Sequence, residues 1–260
     1  MLDKLIKVFT GKKRIAATDN SDSIMVIGLG RFGASLANAL VQLGHQVLAV
    51  DASIERVQSL ADELPHIVQA NTCDPEVLKQ LSALDFAHVV VSIGNDMESS
   101  VLTTLNLSQM GVRDIWVKAN SSQHGRIVAR LGAHHVVYPE RDMGERVAHL
   151  VTGKMIDFIE FVDGFAIAKT HLPNNLPHQT LAAAQLWERF HINVIGIKRN
   201  GSGFIYAQPN TLLLPDDLLV ITGSTDDVEA FAAQTYTHPP ALAAEPPPED
   251  THHPGEVNLA

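Results

Sequence analysis

The residues of this chain best suited to chemistry lie in Gly28-Leu29-Gly30-Arg31-Phe32-Gly33. Three glycines at this spacing follow an apolar run, Ile24–Ile27, and open a stretch of helical periodicity. They permit a tight turn, close approach of a phosphate, and close packing of helix on strand. The helix start offers free N–H groups and the positive end of its dipole to a polyphosphate. Asp51 ends the second apolar run, 18 residues beyond Gly33. A carboxylate there is placed to accept hydrogen bonds from both ribose hydroxyls and to repel a 2′-phosphate. The pattern predicts a ribonucleotide other than NADP. Arg31 adds a permanent cation inside the turn, which suits the extra charge of a terminal phosphate as in ATP. The two phosphates of NAD would be served by backbone N–H groups alone. Spacing leaves both nucleotides open, along with an ordinary solvated arginine.

Catalytic chemistry finds little support. A dehydrogenase needs a proton donor or acceptor beside a substrate pocket. None of the 13 histidines stands in such a constellation, and neither His134-His135 nor His252-His253 has a third partner at metal-ligand spacing. A single cysteine, Cys73, excludes an internal disulfide framework and a cysteine-rich zinc site, and it suits a reducing compartment. With 29 acidic against 19 basic residues, the net charge of −10 argues against a general nucleic-acid binder. No run approaches the ~18 apolar residues of a membrane helix, and the N-terminal residues lack the apolar core of a signal peptide. The expectation is a cytosolic, non-enzymatic, nucleotide-binding protein.

The elements that must position these residues are legible between Ser23 and Pro139. Short apolar runs at 24–27, 47–50, 67–70, 88–93, 115–118 and 135–138 alternate with helix-length segments at 32–43, 54–63, 75–81, 98–110 and 123–131. Several runs are β-branched and nearly continuous, as for strands buried on both faces. Such alternation predicts an α/β fold, a Rossmann-like doubly wound parallel sheet, over 23–140. A further helix over 141–156, running as far as Met155, should link it to a small α+β domain at 157–235. There, strands are expected at 166–169, 193–197, 204–206 and 218–221, and helices at 180–190 and 225–233. Asn200-Gly201 marks a hairpin between two of those strands. Residues 1–22 form a basic arm whose Leu2, Leu5, Ile6 and Phe9 recur at helical spacing. Residues 1–14 of it are expected to face a membrane partner or lipid, with a frayed, solvated terminus as the alternative. Residues 236–260 hold six of the 13 prolines and no Lys or Arg, and should be disordered without an assigned role.

The runs IMVIGLGRFGASLANALVQLGHQVLAVD, VVVSIGNDMESSVLTTL, IWVKA and YPERDMGERVA resemble the N-domain of RCK (regulator of potassium conductance) proteins. RFHINVIGIKRNGSGF and LLPDDLLVITGSTDDVEAF resemble the RCK C-domain, so the likeness spans about residues 23–233. It is closest to the Ktr/Trk-type cytosolic regulatory subunits of potassium uptake systems. The resemblance implies a homo-oligomer, dimers assembling into an octameric ring, which binds ATP or ADP and gates a membrane potassium-translocating subunit from the inner face of the membrane. NAD(H) is the less favoured ligand. It implies a phosphate turn at Gly28, Gly30, Phe32 and Gly33, with Arg31 meeting the ATP γ-phosphate of a neighbouring subunit. Asp51, with Ala52 and Ser53, would hold the ribose, and Asn71 and Thr72 would lie near the base. Ser92, Ile93, Gly94 and Lys118 would line the carboxyl edge. Glu140 would hold a divalent cation, Mg²⁺ or Ca²⁺, at the phosphates. Trp187 and Glu188 replace the Arg-Ala pair through which some relatives bind cyclic di-AMP, so that ligand is not expected. The alternatives are a small NAD(H)-dependent oxidoreductase and a nucleotide sensor with no transporter partner.

Overall fold

The computed structural model describes residues 23–152, 155–161 and 163–235. The basic arm at 1–22 and the Pro-rich tail at 236–260 lie outside the described residues. The chain divides into two compact units between Met143 and Gly144.

The first unit alternates strand and helix: β1 (Ser23–Ile27), α1 (Arg31–Gln42), β2 (Gln46–Asp51), α2 (Ile54–Ser59), β3 (Ile67–Gln69), α3 (Pro75–Gln80), β4 (His88–Val91), α4 (Met97–Met110), β5 (Ile115–Lys118), α5 (Ser122–Arg130) and β6 (His135–Val137). All six strands are parallel, in the order β3-β2-β1-β4-β5-β6. This is the Rossmann-like sheet that the alternation predicts. Successive side chains of a strand point to opposite faces, and here both faces are packed. Met25 and Ile27 enter one apolar cluster while Ile24 and Val26 enter another. That double burial is why the strands read as unbroken apolar runs. Helix starts are locally encoded: Ser53, Asp74, Asp96 and Ser121 each accept a hydrogen bond from the first turn of the helix they precede. At the amino edge of the sheet, Asp114 pairs with His88 Nδ1 at 2.5 Å and accepts from Trp116 Nε1 at 2.8 Å.

Helix α6 (Pro139–Val151) follows β6 and runs across the division between the units. It stops four residues short of the expected Met155. Thr152 Oγ1 donates to the His149 carbonyl at 2.7 Å, taking up a last-turn acceptor. Met155 is instead buried in the apolar cluster of the second unit.

The second unit contains β7 (Asp157–Glu160), β8 (Phe165–His171), α7 (Leu181–Ala184), α8 (Leu186–Phe190), β9 (Asn193–Lys198), β10 (Phe204–Tyr206), β11 (Leu218–Ser224) and α9 (Thr225–Ala232). Its sheet has the order β10-β9-β11-β8-β7 with every pairing antiparallel. Gly201, at φ +75°, turns the hairpin between β9 and β10 that Asn200-Gly201 signals. Strand β7 was not evident from the pattern, because it is an edge strand in which Phe158 alone is buried. The single helix expected at 180–190 is broken at Gln185, which adopts φ +47°. The break lets Ala184 and Leu186 both enter the core. Two residues apart, they would face nearly opposite sides of a continuous helix.

One ion pair pins this unit. Asp217, 1% exposed, receives Arg199 Nε and Nη2 at 2.8 Å each and the Leu214 N–H at 2.8 Å. Burial pushes the Asp217 carboxyl up, but the Arg199 guanidinium and the Leu214 N–H together hold it below its usual range. A carboxyl depressed in the folded state stabilises above its unfolded value, and that contribution fades as pH falls through the folded one. Asp217→Asn should therefore cost about 2–3 kcal/mol at neutral pH. In urea melts the gap between variant and wild type should narrow as pH is lowered through the carboxylate range.

Candidate functional site

The carboxyl ends of β1, β2, β4 and β5 meet where the strand order reverses between β1 and β4, the place at which a doubly wound sheet holds its ligand. The glycine turn occupies this point. Gly28 has φ +92° and donates its N–H to the Val50 carbonyl at 2.7 Å. A Cβ there would stand 3.0 Å from the Ile93 nitrogen. A Cβ on Gly33 would overlap the Gly28 carbonyl oxygen and Ser92 Oγ. Packing within the protein thus accounts for both residues. Gly30 is different, since a Cβ there would meet no protein atom within 4 Å. Gly30 is also the residue before α1, where it supplies no side-chain cap. The first N–H groups of α1 therefore have no side-chain acceptor from the N-cap residue, and the Cβ side of Gly30 is open, an arrangement suited to phosphate oxygens.

Asp51 fixes the turn from the side. It is 5% exposed, and its Oδ2 accepts the Leu29 N–H at 2.6 Å while Oδ1 accepts the Ser53 N–H at 2.8 Å. Arg56, on α2, approaches Oδ2 at 3.3 Å. Three donors occupy three of the roughly four acceptor positions of a carboxylate. One acceptor position remains at Oδ1, and a second at Oδ2 would open only with Arg56 swung aside. Neither Arg56 nor the Leu29 N–H was singled out from the sequence. Arg56 lies five positions after the acid on the next helix, and its spacing carries no signal.

The remaining expected residues fall into two groups. Ser92 and Thr72 are buried and engaged within the protein. Ser92 Oγ donates to the Gly28 carbonyl, and Thr72 Oγ1 lies 2.9 Å from Thr103 Oγ1. These bonds tie the glycine turn to the end of β4, and the segment after β3 to α4. Asn71 and Ala52 are exposed, and Asn71 Oδ1 accepts the Cys73 N–H at 3.1 Å. Arg31 is exposed at the first turn of α1. Lys118 ends β5 with its side chain 9% exposed, and its Nζ donates to Glu140 Oε1 at 2.5 Å. The same ammonium lies 5.7 Å from the Phe32 ring centroid and 3.3 Å from the Cβ position of Gly94. Lys118, Phe32, Gly94 and Glu140 are thereby brought together, although they are widely separated in sequence. The hydrogen bond from Lys118 lowers the Glu140 carboxyl, with smaller contributions from the charges of Lys118 and Arg31. Asn120, missed in the sequence, donates through Nδ2 to the Gly94 carbonyl and ties the β4–α4 and β5–α5 loops. Its position two residues past a strand end was the available clue.

A divalent cation would find one carboxylate here. Among the described residues, no group of three or more His, Cys, Asp or Glu is arranged to hold a metal. The Glu140 oxygens fit such an ion only if phosphate or water supplies the other ligands, as Mg²⁺ sites commonly allow.

Comparison with known proteins gives a consistent result. The TrkA-N domain family matches residues 24–139, and the TrkA-C domain family matches residues 171–235. The chain is 35% identical over 207 residues to Ktr system potassium uptake protein C of Bacillus subtilis (strain 168), covering 79% of this chain and 94% of that protein. It is 32% identical over 207 residues to Ktr system potassium uptake protein A of the same organism, covering 79% and 93%. The Vibrio alginolyticus Ktr system potassium uptake protein A is 35% identical over 202 residues, covering 77% and 92%. Among solved structures, the GsuK RCK domain aligns with TM-score 0.60 and 18% identity over 86% of this chain and 50% of that one. The GsuK channel bound to NAD aligns with TM-score 0.60 and 18% identity over 92% and 44%. The chain spans half or less of those solved chains, and at this identity they speak to fold alone.

Asp51→Ala removes the anchor of the turn together with an acceptor for ribose. ATP and ADP, which share that ribose, should both weaken by about ten- to a hundredfold in calorimetry.

Proposed function

The chain belongs to the family that joins a TrkA-N to a TrkA-C domain, the RCK proteins that include the Ktr potassium-uptake regulatory subunits, and we propose that it is a nucleotide-binding regulatory subunit of a membrane potassium transporter. The observation that carries the nucleotide half of this reading is Gly30. Gly28 and Gly33 answer to contacts within the protein, whereas the space over Gly30, beside uncapped N–H groups, suits a phosphate. The transporter half is supported by the relatives, which are named as potassium uptake proteins and match over most of their own length. The protein performs no catalytic step in this reading. No helix among the described residues is long and apolar enough to cross a membrane. In this reading potassium passes through a separate membrane subunit. The protein works at the cytoplasmic face of that partner, as a homo-oligomeric ring built from dimers.

ATP and ADP are the ligands that fit the cations best. Arg31, exposed beside the turn, offers a forked donor set to a terminal phosphate, from its own or an adjacent protomer. ATP then fixes a spacing that ADP leaves relaxed. Regulation requires such differential contacts, because a ligand with equal affinity for two ring shapes shifts neither. Glu140, with ATP oxygens, would hold a divalent cation.

Arg31→Ala should weaken ATP by about tenfold or more and ADP by much less, and it should abolish any ATP-specific change in small-angle scattering. Thermal shifts with ATP, ADP and NADH separate this reading from a redox enzyme. Stabilisation by NADH alone would overturn it, as would failure to co-purify with a membrane subunit.

A further inference from the structure

Lys118 is a cation taken almost wholly out of water at the end of a central strand, with its side chain 9% exposed. An ammonium in such a place is costly unless an anion compensates it. The anion is Glu140, whose carboxylate reaches in from the first turn of α6 to 2.5 Å while its own side chain stays 64% exposed. The two groups are therefore unequal. Lys118 is fixed in the strand and needs a counter-ion, whereas Glu140 is largely solvated and has water as an alternative. The Phe32 ring face lies 5.7 Å from the ammonium, and Phe32 directly follows Arg31 on the first turn of α1. The ammonium thus lies against a side chain from the first turn of α1 and against Gly94, at the carboxyl edge of the same sheet. A polyphosphate seated at that helix start would have the ammonium that Glu140 now neutralises as a cation toward which its outer phosphates could extend.

We infer that Glu140 is a built-in stand-in for phosphate, the resident counter-ion of Lys118, and that a nucleotide's outer phosphates must displace it in order to bind. The inference rests on the nucleotide reading above and adds to it an exchange of anions on one buried cation. Phosphate oxygens satisfy the ammonium as well as a carboxylate does and carry more charge. Once displaced, the carboxylate is repelled by the phosphates and must turn to water or to a cation. Glu140 lies in the first turn of a helix that buries no side chain. Release of the ion pair therefore removes a polar tether from α6, the element that runs on into the second unit. Nucleotide occupancy is in this way converted into freedom of one helix end.

The exchange makes Glu140 act in opposite directions under two conditions. In chelator, where no cation can recruit the freed carboxylate, Glu140→Gln should raise the affinity for both ADP and ATP by roughly three- to tenfold, because no resident anion competes. With Mg²⁺ present, the same variant should lose whatever enhancement of ATP binding wild type shows. Lys118→Gln should weaken both nucleotides, and adding Glu140→Gln to it should give no gain, since the competition needs the ammonium. Amide exchange over residues 139–143 of the full-length chain should quicken on ADP binding in wild type. In Glu140→Gln it should already be fast without nucleotide. Two results overturn the inference while leaving nucleotide binding intact: unchanged or weaker ADP binding by Glu140→Gln in chelator, or a gain that persists undiminished in the Lys118→Gln background, which would mark simple charge repulsion. If wild type binds neither ATP nor ADP by calorimetry, the functional reading itself falls and this inference with it.

Discussion

The candidate site depends on where one carboxylate is held. Asp51 ends β2, yet its oxygens accept the N–H groups of Leu29, in the glycine turn, and of Ser53, before α2. Two chain reversals after adjacent parallel strands are thus locked to one another through a single buried side chain. An ionised acceptor strengthens such bonds, and burial removes the water that would compete for them. The turn behind Leu29 is held in parallel by Ser92, which donates to the Gly28 carbonyl from the end of β4. Strands β2, β1 and β4 therefore all grip the same three-residue turn, Gly28-Leu29-Gly30. The open side of Gly30 thus lies in a turn anchored from three strands.

Against that rigid floor, the cations differ in kind. Arg31 is exposed and is free to follow a ligand or a neighbouring molecule. Lys118 is buried and already paired with Glu140. A mobile cation selects by reach, while a buried one selects by the cost of leaving it uncompensated. The second arrangement links the site to α6, because the compensating acid belongs to that helix and not to the sheet.

The second unit uses the same device for stability. Asp217 is buried at the start of β11 and takes a bidentate arginine from the end of β9. Arg199 also donates to the Leu212 carbonyl, so one guanidinium ties the irregular segment before β11 to the hairpin strand. In both units a buried acid substitutes for secondary structure where the chain is irregular.

The sequence by itself determined the parallel sheet, its strand and helix order and the glycine turn, since each rests on short-range regularities. Double burial makes apolar runs continuous, caps precede helices, and a phosphate turn needs glycines at fixed offsets. It also marked Asp51, because that acid lies at a set distance along the chain. Tertiary structure decided the rest. The break at Gln185 exists because two residues of one segment must reach the same core, and no local preference announces it. Edge strand β7 was illegible because only one of its residues is buried. The family resemblance implies Ser92 and Thr72 at the site, and only the fold shows that their hydroxyls bond within the protein, to Gly28 and Thr103. The pairing of Lys118 with Glu140 spans 22 residues, and that of Lys118 with Phe32 spans three helices and three strands of intervening chain. Periodicity sees only near neighbours along the chain, whereas a buried charge is answered by whatever the folded chain brings within reach.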